Sequence, residues 1–521
     1  MKILNCGFVF TLYVSLFFNI AFAQLTRNWN YVQNQDGASN AIKLDINGNT
    51  YSGGRLKTDQ SYLQIVKLDP NGVEVYRDTI RSYQSTNGFQ NIIYDGQSSV
   101  YALGDIIDSL GVEKLVLAQY DTSGYRKGVW LYDSLFSNGG LRMAADSGVF
   151  FNCFNYAGSS IYHGKFVFVD TAGNKTELFD DRSIGLISGM LWYNEVDSAG
   201  DIYMAGSGKE VGVLNEKIYL IKMHPSGITD WTHIINGNLH QNNYPSGLHL
   251  DDHSDLLLLA IRPDTGNVFS LIKYDLGGSL LWDQPAVDRG KKIITDKLNN
   301  IYLFNIAGTW QDSLTIIKLN STGNFLHSTS VKFNNQQLLI LSDKLIDDHA
   351  NLFIAVGAVT ISNYNNLMIA VFDSSLGLLT YDCWDTINNA GESPSEIIHG
   401  NNNEIYITGF ANQNQINNTS QFCTLKYSLS TTVGINESGV KASIKIYPNP
   451  VTGSARIELP DFSAHAIHII IRDILGKIVF EKYQFEKNAI VDLNSLKAGI
   501  YFLQTDDSNL LLSRAILFCK Q

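Results

Sequence analysis

At 521 residues the chain is too long for one compact core, and with 43 Gly, 26 Tyr, 26 Phe and only 17% charged residues it shows strand-like alternation in place of helical periods. An all-β architecture of repeats or several domains follows. The net charge of -12 excludes a nucleic-acid groove or an anionic membrane surface as the natural partner.

At the start of the chain, Met1-Lys2 precedes an apolar run from Gly7 to Ile20 and the small-x-small triplet Ala21-Phe22-Ala23. This pattern predicts a signal peptide over 1-23, cleaved after Ala23. Thr11, Ser15 and Asn19 interrupt the run, which is too short to anchor in a bilayer. No later apolar stretch is longer, so no integral membrane segment is expected in the mature protein.

From residue 24 onward a phrase recurs. Leu44-Asp45-Ile46-Asn47-Gly48-Asn49-Thr50-Tyr51 to Gly54 returns at Asp95, Asp197 and Asp296, with weaker copies at Asp146, Asp251, Asp347 and Gly400. The starts lie about 50 residues apart. A second phrase alternates with it: Ile65-Val66-Lys67-Leu68-Asp69, Leu220-Ile221-Lys222-Met223-His224, Leu271-Ile272-Lys273-Tyr274-Asp275 and Ile316-Ile317-Lys318-Leu319-Asn320, each with a Gly close behind. Apolar and polar positions alternate at period two and stop at a turn residue, which is a strand, a tight turn and a returning strand. One unit then holds four short strands, and eight such units predict an eight-bladed β-propeller over 24-428. Seven blades are the alternative, because the unit around Asp146 is shortened. The phrases resemble propeller repeats of secreted Bacteroidetes proteins, and the Leu271 to Trp282 form is similar to quinoprotein-type blades. Trp29 to Gln33 and Ala41 to Asp45 look like the Trp strand and the Asp strand of a unit, and the last unit stops after Tyr427 without a following Gly and Trp. The N-terminal strands are therefore expected to complete the last blade.

Within the core, chemistry is hard to find. There is no Gly-x-Ser-x-Gly elbow, no His-Glu-x-x-His, no P-loop and no dinucleotide fingerprint, so the sequence asks for no catalytic residue and no cofactor. The cysteines show no CxxC pair and no ligand spacing, so no metal is expected. Cys383 and Cys423 are a pair that an oxidising compartment could bridge. The Asp-x-Asn-Gly-Asn turn has its Gly at the fourth place and no Glu at the twelfth, which makes it a hairpin turn in preference to a calcium loop. Asp251-Asp252-His253 and Asp347-Asp348-His349 share that turn in different units and are too far apart to form one metal site. The recurring Trp and Tyr read as packing between blades. Ligand contacts should come from residues that do not repeat, on the face of longer loops expected at 54-62, 154-164, 206-216 and 409-420.

Residues 429-441 have no period and read as a linker. Beyond them, 442-521 carry three blocks: Tyr447-Pro448-Asn449-Pro450; Asp473 with Gly476 and Lys477; and Leu496 with Gly499 and Tyr501. Their order and spacing resemble the type A C-terminal sorting domain of the type IX secretion system of Bacteroidetes. The resemblance implies a small Ig-like β-sandwich, the type IX machinery as partner, and release or attachment at the outer-membrane surface after export through the periplasm. For the propeller this suggests a non-enzymatic binding or scaffold role toward a glycan or protein. The alternative is a polysaccharide hydrolase or lyase with its site at the propeller mouth.

Overall fold

The computed structural model describes residues 24-430 and 445-520, apart from 145-147, 157-160, 214, 236-242, 254, 263-268, 286-291, 308-312, 334-335, 361-364, 386-390, 402, 415-418, 459-466, 474-476, 485-487 and 507-514. The chain divides into two compact units, through Thr432 and from Val433. Ala21 and Ala23 of the expected cleavage site lie outside the described residues.

The first unit is an eight-bladed β-propeller. Blade 1 begins with the second half of the long strand Gln24–Leu44 and continues through Thr50–Lys57, Ser61–Leu68 and Glu74–Ser82. Blades 2 to 7 start at Gly88, Phe136, Leu186, Tyr244, Lys292 and Gln336, each an antiparallel meander. Blade 8 consists of Gly391–His399, Glu404–Asn414 and Thr419–Ser430, and its fourth strand is the first half of Gln24–Leu44. That strand serves two sheets. Residues from Gln24 to Val32 pair with Thr419–Ser430, and Asp36 to Leu44 pair with Thr50–Lys57. The Trp29 strand thus closes the ring as the sequence predicts, whereas the Ala41 to Asp45 strand opens blade 1 and does not join blade 8. Strand pairing extends to Ser430, so Leu429 and Ser430 are strand, not linker.

Blade 3 is the shortened unit that makes seven blades an alternative in the sequence. Its first strand is broken into Phe136–Ser137 and Arg142–Met143 around Gly139 and Gly140, both at positive φ, yet both pieces pair with Val149–Tyr156. Two short pieces do the work of one strand.

Each blade packs on the next through a separate apolar cluster. Blades 6 and 7 share Tyr302, Phe304, Leu338, Ile354, Met368 and their neighbours, and blades 4 and 5 share Tyr203, Leu220, Leu258 and Ile272. Full burial of such a side chain contributes about 1.5–3 kcal/mol. The recurring Tyr sits in these seams: Tyr51, Tyr203, Tyr302 and Tyr406 are fully buried. At the rim, Trp130 of blade 2 lies against Gly173 of blade 3, which has φ +86 and whose Cβ, if added, would fall 1.8 Å from the indole nitrogen. The Trp29 indole lies over Gly72 in the same way and donates to the Pro70 carbonyl at 3.0 Å. Only glycine allows both the turn and the close ring.

The turn Asp behaves as the sequence suggests. Asp45 Oδ1 accepts from the Asn47 and Asn49 amides, and Oδ2 accepts from Asn49 Nδ2 and Tyr51 Oη at 3.2 Å. Asp197 and Asp296 repeat the pattern with Tyr203 and Tyr302. The oxygens that a cation would need are spent on the hairpin.

The second unit is a small sandwich. One sheet joins Lys445–Tyr447, Ser454–Glu458 and Asn488–Asp492; the other joins Ile467–Asp473, Ile478–Gln484, Gly499–Asp506 and Ala515–Lys520. Val451, Ile457, Ile469, Ile471, Val491, Leu493 and Leu503 fill the space between them.

Candidate functional site

Blades that radiate from an axis come closest at the hub, and outside blade 3 the first strands of successive blades touch one another. These strands share an irregularity. A register shift falls at Ser39/Ala41, Phe89/Asn91, Leu191/Tyr193, Pro245/Gly247, Leu341/Asp343 and Pro394/Glu396. Such a bulge re-aims the side chain beside it. The residue after the shift stands four places before the turn Asp, or before Gly400 in blade 8, and it does not repeat. Arg142 and Lys292 hold the same place in blades 3 and 6 without a shift, and in blade order this column reads Ala41, Asn91, Arg142, Tyr193, Gly247, Lys292, Asp343, Glu396.

Most polar members of the column reach the next blade. Asn91 Oδ1 accepts from the Leu141 amide at 3.3 Å, Arg142 donates to the Asn194 carbonyl at 3.1 Å, and Tyr193 Oη donates to the Ser246 carbonyl at 3.0 Å. Asp343 accepts from the Ile397 amide at 3.1 Å. Glu396 closes the circle, accepting from the Ile42 amide at 2.7 Å and from Lys43 Nζ at 2.5 Å. Asn40 bridges to the Asn87 and Phe89 carbonyls of blade 2, and His249 Nε2 lies 2.8 Å from Thr295 Oγ1 of blade 6. Burial and the nearby Lys344 charge depress His249 to about 4 and also lower Lys292. The hub holds charge, but it holds it in clasps.

Three other places carry polar or aromatic groups. In blade 8 Gly400 stands where the other turns have Asp; Tyr406 Oη then turns to Glu404 at 2.9 Å, and a cavity of about 230 Å³ opens among Asp45, His399, Asn401, Glu404 and Tyr406. Glu404 is held there by Lys426 at 2.7 Å. Between blades 3 and 4, His163, Asp180 and Asp181 bring ligand atoms within 4.8 Å of one another. Their oxygens are taken, however. Asp181 binds His163 Nδ1 at 2.8 Å and the Gly164 amide at 2.9 Å, while Lys165 and Arg182 hold Asp180, whose carboxyl lies well below the usual range through those bonds despite its burial.

The third place is aromatic. Phe136 stacks on Phe154 at 5.2 Å and meets Tyr156 edge-on at 4.7 Å, and Tyr156 lies 4.8 Å from Tyr162. Tyr156 is 50% exposed. This cluster ends the second and third strands of blade 3, on the face opposite the Asp turns, and it has no counterpart in another blade among the described residues. Close by, Asp105 accepts from the Ser137 amide at 2.8 Å, and burial pushes its carboxyl up to about 6. The loops expected on that face are shorter than the sequence suggests, since strands run on to Lys57, Tyr156, Glu210 and Asn414. Cys383 and Cys423, the pair that could have been bridged, are unbridged, Cys423 being fully buried in the seam between blades 7 and 8.

In the second unit the three blocks become parts of one fold. Tyr447 ends the first strand, Pro448, Asn449 and Pro450 follow it, and all four are exposed. Asp473 caps a hairpin, its Oδ1 accepting from the Lys477 amide at 3.0 Å; Gly476 lies outside the described residues. Leu496 enters the core, Gly499 begins a strand opposite Lys520, and Tyr501 is buried with its hydroxyl on the Lys497 carbonyl at 2.8 Å. The blocks are therefore structural whatever else they do.

The comparisons bear on the two units differently. Several solved structures superpose on the chain. One is PorZ, a bacterial surface component of the type IX secretion system of Porphyromonas gingivalis, at 10% identity and a TM-score of 0.28 over 92% of this chain and 74% of that one. Another is the WD40 domain of SCAP from fission yeast, at 9% identity and a TM-score of 0.44 over 78% and 98%. A third is a eukaryotic initiation factor, at 9% and 0.40 over 66% and 88%. Likeness this distant decides nothing about activity. No curated protein matches the chain. Residues 445–518, by contrast, match the family described as the secretion system C-terminal sorting domain, and with that tail the chain belongs among the proteins that the type IX secretion system exports to the cell surface or the medium.

Proposed function

We propose that the propeller is a non-enzymatic binding or scaffold module, carried outward by its sorting domain and working at the cell surface or in the medium. What supports this reading is the use made of the non-repeating polar groups at the hub. Glu396, Asp343 and Arg142 are committed to the backbone of the next blade, so they are poorly placed to move protons on a substrate. Recognition is then assigned to the face with the aromatic cluster of blade 3, since aromatic rings at one place on a rigid scaffold make a contact surface. The test is a glycan and protein binding screen with the mature full chain, run beside an assay for polysaccharide breakdown. Binding that Tyr156→Ala weakens about tenfold, with no breakdown, supports the proposal. Turnover that survives Tyr156→Ala and stops with Glu396→Gln overturns it in favour of a hub enzyme.

A further inference from the structure

The first sorting block and the end of the chain, some 70 positions apart, meet in the sandwich. The Cys519 amide donates to Asn449 Oδ1 at 2.9 Å, the Val451 amide donates to the Cys519 carbonyl at 2.7 Å, and Lys520 Nζ donates to the Thr452 carbonyl at 2.7 Å. Val451 and Lys520 also form a parallel bridge. Both are buried: Val451 lies fully in the core, and Lys520 is 6% exposed although it is the last residue but one. Ala515–Lys520 is the outermost strand of its sheet, paired along one side with Gly499–Asp506. Its other side would be open at the end but for the Asn449 to Thr452 segment. An edge strand at a chain end frays unless something ties it down. Here the tie is the block whose prolines cannot themselves join a ladder and so leave Asn449 to supply the acceptor.

We infer that Asn449 is a positioning residue that fixes the terminal strand, and that the Pro448-Asn449-Pro450 block acts on export through that strand instead of being read by the exporter directly. The inference rests on the reading of these residues as a sorting signal. It assigns the block no contact of its own with the machinery. The geometry it provides is a paired, ordered Ala515 to Lys520 strand with a buried Lys520 ammonium at its end.

The test compares full-length variants in a bacterium that has the type IX pathway, scoring the share exported and, on purified protein, hydrogen exchange at the Cys519 amide. Asn449→Ala should cut export about tenfold and speed Cys519 exchange about tenfold or more, leaving exchange in Ile467–Asp473 as it was. Asn449→Asp keeps an oxygen for the Cys519 amide and should export within about twofold of the native chain. Lys520→Met breaks the clasp from the other partner and should show the same export defect, which covers the case of an Asn449→Ala chain that does not fold. Export lost by Asn449→Ala while the Cys519 amide stays protected would overturn the inference, as would normal export with that amide released. A chain ending at residue 511 separates the two layers: if it exports normally, the sorting reading itself falls, and the inference with it.

Discussion

Among the described residues, blades 6 and 7 meet through sixteen buried apolar residues, while blades 8 and 1 meet through three, Val66, Leu68 and Phe422, with Trp29 and Tyr31 beside them. Hydrogen bonds replace the missing apolar contacts. Ser52 and Thr424 share a buried bond of 3.0 Å, Gln33 and Gln64 bond each other twice, Asp36 accepts from the Ser420 amide, and Glu396 reaches Ile42 and Lys43. The difference follows from chain connectivity. Successive blades are delivered to each other by a short connection, so burial without direction is enough. Blades 8 and 1 must find each other across the whole propeller, at the entropic cost of closing a very long loop, and apolar strands would pair in several registers. Directional bonds accept one register.

The largest expected effect breaks the closing seam outright. Removing residues 24-33 takes the fourth strand from blade 8, exposes the edge of Thr419–Ser430 and withdraws Trp29 from Gly72; the melting temperature should fall by about 10 °C or more. A truncated chain that melts like the native one would show that the seam is closed by something else. Next, Glu396→Ala leaves the Ile42 amide and Lys43 without their carboxylate and should cost about 2–3 kcal/mol in denaturant unfolding, more than trimming one methyl from an apolar seam with Ile316→Val, for which about 1 kcal/mol is expected. Equal losses would erase the distinction between the two kinds of seam.

The Ser52 and Thr424 pair sharpens it. Thr424→Val alone should cost about 1–2 kcal/mol, since Ser52 is left buried without its partner, whereas Ser52→Ala with Thr424→Val should return to within about 1 kcal/mol of the native chain. The double variant should instead refold less faithfully, giving more aggregate at the same stability. Additive losses would mean that the bond stabilises and does not select. The smallest effect concerns acid. His249, held near 4 in the fold against an ordinary 6.5, binds its proton more readily when unfolded, so it makes stability fall as pH drops from 6.5 to 4. Asp105, raised to about 6, has the opposite slope: its ionisation costs stability as pH rises from 3.8 to 6. Asp105→Asn should therefore steepen the acid loss, and His249→Gln should flatten it, as read from melting temperatures across that range.

What could be read in the sequence was what repeats. Asp45, Tyr51 and Gly54 recur because every blade needs the same capped turn and the same buried ring, and strand number and blade number followed from them. The hub column was hidden for the opposite reason. Asn91, Arg142, Tyr193, Asp343 and Glu396 share a place but not a chemistry, and the bulge before Asn91, Tyr193, Asp343 and Glu396 breaks the alternation that would have marked their direction. The polar seam was hidden too, since Ser52 looks like an ordinary strand residue until the ring brings Thr424 of blade 8 against it. In the sorting domain the blocks were legible as a pattern, but the tie between Asn449 and Cys519 was not, because nothing local connects them.

The pairing of Gln24 with Ser430 sets the two ends of the propeller side by side in one sheet. The ring therefore has a seam in place of a beginning. A short peptide from Ser430 to Gln24 would make the eight blades a continuous loop, and new ends could be cut at the turn of Gly96, where nothing lies within 4 Å of the added Cβ position. Such a circular permutant would carry the same blades in a rotated order, and the polar seam, relieved of its task of joining distant ends, would become one connection among eight.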